Sequence, residues 1–218
     1  MIRFVVAKDE ANAALGTYFD ASKNYLDGLA GGIDTESDLH VMNSKECKRT
    51  YVSDTLPKVC GEKPFIFVVF SHGNEKACVA GGANYIDEGN VGSFKNSFFY
   101  STACLNGREL GVKLVEEGCE AFVGFTEESN AYSIDEYREV FIKCDLACLS
   151  SFLSKKDKTL KEAESDAISY FNMQIDKLDS LTELLIKGAL IENREALRVL
   201  GNKELKREDL EFIENDSH

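Results

Sequence analysis

The chain has 218 residues, 44% hydrophobic and 29% charged, with a formal net charge of −13; that length suits one large α/β domain that buries its core without metal or disulfide staples. No run of about 18 apolar residues is present to cross a bilayer, and no Lys/Arg cluster escapes acidic neighbours, so the basic footprint of a nucleic-acid binder is missing. Seven cysteines, at 47, 60, 78, 104, 119, 144 and 148, form no CxxC pair, which fits reduced thiols in a cytoplasmic protein rather than a disulfide framework.

Residues 2–7 (IRFVVA) predict a buried first strand, followed too soon by Lys8, Asp9 and Glu10 for a signal-peptide core. Residues 10–29 have helical spacing until Gly28, Gly31 and Gly32 stop it. A short second strand is expected at 39–42, and 43–61, with Pro57 and Cys60, reads as irregular or as a short helix. Residues 65–70 (FIFVVF) are six consecutive apolar residues entered through Pro64, the pattern of a central strand buried on both faces. Residues 77–80 and 83–86 flank Gly81-Gly82 as a β-hairpin.

Residues 97–103 form the next expected strand, 108–117 a helix ended by Gly118, and 121–126 (AFVGFT) another central strand. Strand, helix, strand in that order is the signature of parallel crossover units. Helical periodicity then covers 132–153 and 159–178, joined by a polar turn at 154–158, and continues through 181–190. Residues 196–200, before Gly201-Asn202, fit the close of a helix or an edge strand, and we take the strand. With no internal repeat and no linker, residues 1–218 form one α/β domain with a mainly parallel sheet and helices on both faces, and 178–218 serve as a helical, closing segment.

Two of the apolar runs end in reactive side chains: 65–70 leads into Ser71-His72-Gly73, and 97–102 into Ala103-Cys104-Leu105-Asn106-Gly107. Parallel neighbouring strands would deliver both to the C-terminal rim of the sheet, where open α/β folds place their ligands. A thiol nucleophile works as its thiolate, and a nearby histidine can hold that charge, protonate a leaving amine and later activate water. His72 is one of three histidines, with His40 in a polar segment and His218 at the chain end. Gly73 carries no side chain, so its N–H can approach a developing oxyanion beside that of Cys104. Taken singly, a cysteine at a strand end is commonly a small buried hydrophobe and a lone histidine a hydrogen-bonded structural residue; the paired placement favours chemistry. Cys144 and Cys148 lack a nearby His or third Cys to complete a zinc site, so no metal is expected.

The segments FIFVVFSHGN (65–74), SFFYSTACLNG (97–107) and GCEAFVGFTEES (118–129) resemble the caspase-like cysteine peptidases, the group that includes caspases, metacaspases, gingipains, separases and bacterial CHAT-type proteases. The hairpin at 76–87 stands where that family has one, and 150–174 looks like the helix, turn and helix of bacterial members, so the resemblance spans roughly residues 1–205. It implies a caspase-like three-layer sandwich, a cysteine endopeptidase acting on a protein substrate, His72 and Cys104 as the catalytic dyad, and Gly73 and Cys104 amides as the oxyanion hole. It implies no required cofactor. Leu105-Asn106-Gly107 after the cysteine departs from the caspase QAC[RQG]G signature, which speaks against cleavage after Asp.

In such peptidases the substrate pocket is charged by the loops after the first strand, before the nucleophile, and after the strand that follows the nucleophile helix. Those places hold Asp9 or Glu10, Thr102, and Glu127 or Glu128; acids there would bind Lys or Arg at P1, the alternative being ordinary solvated loop acids. The likeness to bacterial members implies a regulatory sensor protein as partner and a role in regulated cell death, antiviral defence or signalling. Two other readings stand beside this one: an inactive caspase-like scaffold, against which the intact dyad argues, and a flavodoxin-like small-molecule binder, against which the lack of a phosphate loop at residues 7–10 argues.

Overall fold

Residues 1–130 and 135–213 are described by a computed structural model of the chain. The first unit is β1 (Ile2–Lys8), α1 (Gly16–Gly31) and β2 (Ser37–Met42), followed by α2 (Arg49–Val59) and β3 (Phe65–Phe70). Three short strands come next, β4 (His72–Asn74), β5 (Ala77–Ala80) and β6 (Ala83–Ile86), and then β7 (Ser97–Ser101), α3 (Leu110–Glu116) and β8 (Ala121–Phe125). Four helices, α4 (Asp135–Asp145), α5 (Ala147–Leu153), α6 (Leu160–Asp176) and α7 (Leu184–Ala196), lead to β9 (Leu197–Gly201).

The main sheet runs in the order β2-β1-β3-β7-β8-β9. Its first five strands are parallel, and β9 closes it antiparallel to β8. Alternation along the strands explains the layers, since successive side chains point to opposite faces. Ile66, Val68 and Phe70 face one core with Phe4, Phe98 and Tyr100, covered by Leu26 of α1, Phe141 of α4, Phe152 of α5 and Phe171 of α6. Phe65, Phe67 and Val69 face the other with Val5, Phe99 and Phe122, covered by Val52 and Leu56 of α2, Leu114 of α3 and Tyr85 of β6. Phe67, Phe99 and Phe122 stack across three neighbouring strands at centroid spacings of 5.2 and 5.8 Å. Burial of each such side chain contributes about 1.5–3 kcal/mol relative to exposure, and the three-layer arrangement is the expected one.

Several boundaries differ from the sequence reading for local reasons. Helix α1 starts at Gly16 rather than residue 10, because Asn12 turns the chain first, its Oδ1 accepting the N–H groups of Ala14 and Leu15 at 3.0 and 2.9 Å. The unsettled stretch 43–61 contains α2, which carries Pro57 in its last turns. The helix expected over 132–153 is two helices broken at Leu146, since the Asp145 carbonyl accepts the Tyr100 hydroxyl at 2.7 Å instead of continuing the helical ladder; its first residues, 132–134, lie outside the described ones. Helix α6 begins with the capping box of Thr159 and Glu162. Helix α7 runs on to Ala196, and residues 196–200 become an edge strand as read. In the closing segment, Phe212 exchanges backbone hydrogen bonds with Met1; residues 214–218, including His218, lie outside the described ones. Among the described residues no helix is long and apolar enough to cross a membrane.

Candidate active site

Strands β3 and β7 end level with each other: Val69 lies opposite Ser101, and the next amide, Thr102 N–H, donates to Val69 O at 3.1 Å. The chain beyond β3 then turns into β4, which leaves the main sheet and pairs with β5, His72 facing Val79 and Gly73 facing Cys78. Ser71 and Tyr85 hydroxyls meet at 2.8 Å, and Ser71 Oγ donates to the His72 carbonyl at 3.0 Å, fixing the turn from beneath. The imidazole of His72 rests edge-to-face on Phe19 of α1 at 5.9 Å.

Gly73 shows how close the two chain segments come. A Cβ there would stand 2.7 Å from Asn106 Nδ2, 2.8 Å from Ala103 Cβ and 2.9 Å from the Cys104 carbonyl oxygen, so only glycine lets the His72–Gly73 backbone lie against the Ala103–Cys104 turn. His40, by contrast, sits within β2 at the far edge of the sheet, paired with Val5. It cannot serve as the cysteine's partner.

Six of the seven thiols are buried, and Cys104 alone is half-exposed. Leu105, the residue after it, has φ of 64°, a left-handed conformation that is uncommon for a leucine, and its N–H donates to Glu127 O at 3.1 Å. The sharp turn presents the sulfur at the rim. Burial pushes the Cys104 thiol up, the donated Ser129 N–H at 3.3 Å pulls it down, and the charges of Glu128 and Asp145 push it up again. A thiol so placed needs a cation beside it to work as a thiolate at neutral pH, the role open to His72.

The turn and the hairpin are joined by Asn106, which is fully buried and which sequence reasoning passed over. Its Nδ2 donates to the carbonyls of Asn74 and Ala77 at 2.7 and 3.0 Å, and its Oδ1 accepts from Ser101 Oγ at 3.0 Å and Cys78 Sγ at 3.1 Å. One amide therefore ties the strand carrying His72 to the turn carrying Cys104. Arg108 adds an exposed brace across the same gap, pairing with Glu75 of the hairpin and Glu127 after β8.

The expected pocket acids are not equivalent. Asp9 is buried, its carboxylate accepting Gly81 N–H of the hairpin at 3.4 Å, and Glu10 accepts the Ser44 N–H and hydroxyl at 2.9 and 3.0 Å. Thr102 is buried as well, its hydroxyl donating to Val69 O at 3.1 Å. Glu127 and Glu128 are exposed, and they border a cleft of about 810 Å³ that begins at Leu105 and Arg108 and is walled on its far side by Ile191, Glu192 and Glu195 of α7. The one guanidinium in the cleft, Arg108, is already spanned by Glu75 and Glu127. Glu128 has no cationic partner among the described residues. Helix α7 thus supplies a wall that no loop-based reading anticipates.

Helix α7 also joins a buried polar network through Asn193. Asp145 Oδ2 accepts the Tyr18 hydroxyl at 2.7 Å and Oδ1 accepts Asn193 Nδ2 at 3.2 Å. Burial pushes the Asp145 carboxyl up to about 7, the two donated hydrogen bonds only partly opposing it. A carboxyl raised on folding takes up a proton between its ordinary value of 3.8 and about 7, so this group makes stability fall as pH rises through that window. Its contribution between pH 5 and pH 8 is about 2–3 kcal/mol. Denaturant titrations at the two pH values should show wild type losing more stability than Asp145→Asn; equal losses would contradict the assignment. Cys144 and Cys148 flank the same region, buried in the helical core.

No protein-family model matches the sequence, and no curated protein matches it. Among solved structures, the chain is similar to a secreted C11 cysteine protease from Bacteroides thetaiotaomicron in complex with an irreversible peptide inhibitor: 13% identity and a TM-score of 0.54, covering 82% of this chain and 60% of that one. It also aligns with a second structure of a secreted C11 cysteine protease from that organism, iotapain, at 10% identity and a TM-score of 0.49, covering 81% and 71% of the two chains. The likeness to the first establishes the fold as caspase-like, and the chain spans about three-fifths of that protein's length.

Proposed function

We propose that the protein is a cysteine endopeptidase that cleaves a protein substrate through Cys104 and His72. The observation that carries this reading is the packing of the His72–Gly73 backbone against the main chain of the Ala103–Cys104 turn, which bears the one half-exposed cysteine among seven, at the C-terminal rim of a parallel sheet. In the reaction, the Cys104 thiolate attacks the scissile carbonyl while His72, as imidazolium, protonates the departing amine. His72, now neutral, takes a proton from water, which attacks the acyl-enzyme and releases Cys104. The amides of Gly73 and Cys104 are the assigned donors to the oxyanion. A caspase-like fold shared with a C11 cysteine protease supports the reaction class.

The cleft supports a basic P1 residue. Glu127 is partly engaged by Arg108, whereas Glu128 is available to a Lys or Arg side chain entering beside Leu105. Asp9 and Thr102, committed to structural hydrogen bonds, are weaker candidates. A peptide library should be cut after Lys or Arg, and Glu128→Gln should raise KM for those peptides by about 10-fold, the worth of one charge-assisted hydrogen bond. Cleavage after Asp, or a Glu128→Gln profile indistinguishable from wild type, would remove the acidic pocket from the account.

A further inference from the structure

We propose that Asn193 is a positioning residue for Cys104: it locks the main chain of Asn130 so that the adjoining Ser129 amide donates its N–H to the Cys104 sulfur and steadies the thiolate. The inference rests on the reading of Cys104 as nucleophile and adds a residue 89 positions further along the chain, on a different layer of the fold.

The geometry is reciprocal. Asn193 Nδ2 donates to Asn130 O at 3.0 Å while Asn193 Oδ1 accepts Asn130 N–H at 2.8 Å, so one side chain pairs with a backbone residue as a neighbouring strand would. The direction of that amide is set from behind. Asp145 Oδ1 accepts Asn193 Nδ2 at 3.2 Å, so the NH₂ group is turned towards it and the amide oxygen is left for Asn130 N–H. Asp145 is itself held by Tyr18 of α1 through its carboxylate and by Tyr100 of β7 through its carbonyl.

Asn193 and Asp145 are both buried, and a buried polar chain of this kind is unfavourable unless every member is satisfied. Simple anchoring of α7 to the segment after β8 does not require it, because Thr126 already bonds Ala196 O through both its N–H and its hydroxyl, at 2.8 and 3.3 Å. What the network adds is the placement of the next residues. Ser129 N lies 3.3 Å from Cys104 Sγ, whereas the Ser129 carbonyl, which could accept from a neutral thiol, lies at 4.0 Å. The closer contact favours the anion.

The charged groups bearing on the sulfur are Glu128 on the same segment and Asp145 on α4, both opposing the thiolate, while His72 is carried by β4, the strand packed against the Ala103–Cys104 turn. Of all these neighbours, the Ser129 amide is the leading influence that lowers the thiol.

The test is the pH dependence of Cys104 alkylation by iodoacetamide, read by mass spectrometry of the peptide that contains it, so that no substrate is needed. Asn193→Ala should shift the thiolate titration upwards by about half to one pH unit, slowing alkylation at pH 7 by about 3- to 10-fold. Ser129→Pro removes the donor itself without touching the buried network, and should give the same shift. An unshifted profile in either folded variant, or faster alkylation at every pH, overturns the proposal, the latter by showing that Ser129 shields the sulfur. If Asn193→Ala fails to fold, Ser129→Pro decides alone. A shift in a wild-type background that cleaves no peptide would sink the peptidase reading and leave the positioning role standing; cleavage without a shift would do the reverse.

Discussion

Replacing Cys104 by Ala is expected to abolish peptide cleavage, lowering kcat by on the order of 10⁴-fold or more, as loss of a nucleophile does in other acyl-transfer enzymes. The fold should survive. Cys104 is half-exposed and, among the described residues, its sulfur bonds only Ser129 main-chain atoms, so deleting it opens no sealed cavity and leaves Asn106 and the hairpin in place. His72→Ala should lose activity to a similar extent, for a different reason. Without an imidazolium the thiol stays protonated, because burial, Glu128 and Asp145 all oppose its charge. The two defects should not add in the double variant, since residues that act as one unit are lost together. Retained cleavage in Cys104→Ala, with full thermal stability, would mean that the chemistry lies elsewhere.

Asn106→Ala should be the most damaging substitution of a residue that touches no substrate. It strands the carbonyls of Asn74 and Ala77 and removes the acceptor for Ser101 and Cys78 in a fully buried site. Unmade buried hydrogen bonds of this kind cost about 1–3 kcal/mol each, and partial relaxation of the hairpin brings the expected loss to about 3–4 kcal/mol. Activity should fall further than stability requires. Asn106 holds the hairpin bearing His72 against the turn bearing Cys104, and a misplacement of about 1 Å between reacting groups can cost about 100-fold in rate. The expected signature, in protein shown to be folded by circular dichroism, is a kcat lowered by about that factor with KM little changed. A folded Asn106→Ala with wild-type kcat would show that the hairpin is positioned without it.

The parts of this molecule legible in its sequence are those whose burial is uniform. Strands β3, β7 and β8 are buried on both faces, so each is an apolar run that needs no tertiary information to recognise. Both ends of the candidate dyad follow from those runs. Strand β2 is harder, because an edge strand with polar residues at Ser37, Asp38 and His40 carries a weaker signal. Helix α2 was obscured by Pro57, which has no N–H to bond the carbonyl four residues earlier and whose ring crowds that carbonyl, so a proline this far along a helix argues against one in the sequence.

The break between α4 and α5 depends on Tyr100, 45 residues away, taking the Asp145 carbonyl; periodicity within the helices holds no trace of it. Strand β4 is three residues long and half polar, and exists as a strand only because β5 pairs with it. The same limit applies to Asn106, Asn193 and Asp145. Each is a polar residue whose meaning comes from distant partners, and local composition marks none of them. The pocket acids show the converse: Asp9 and Glu128 look alike in sequence, yet one is buried under the hairpin and the other faces the cleft.

The most direct measurement is to treat the native protein with a panel of peptides carrying an electrophilic ketone at the scissile position and differing only at P1, and then to locate the mass increment among its seven cysteines. A single adduct is expected, on Cys104, fastest with Lys or Arg at P1 and lost in His72→Ala. Labelling of any other cysteine, or labelling of Cys104 that is indifferent to His72, would contradict it.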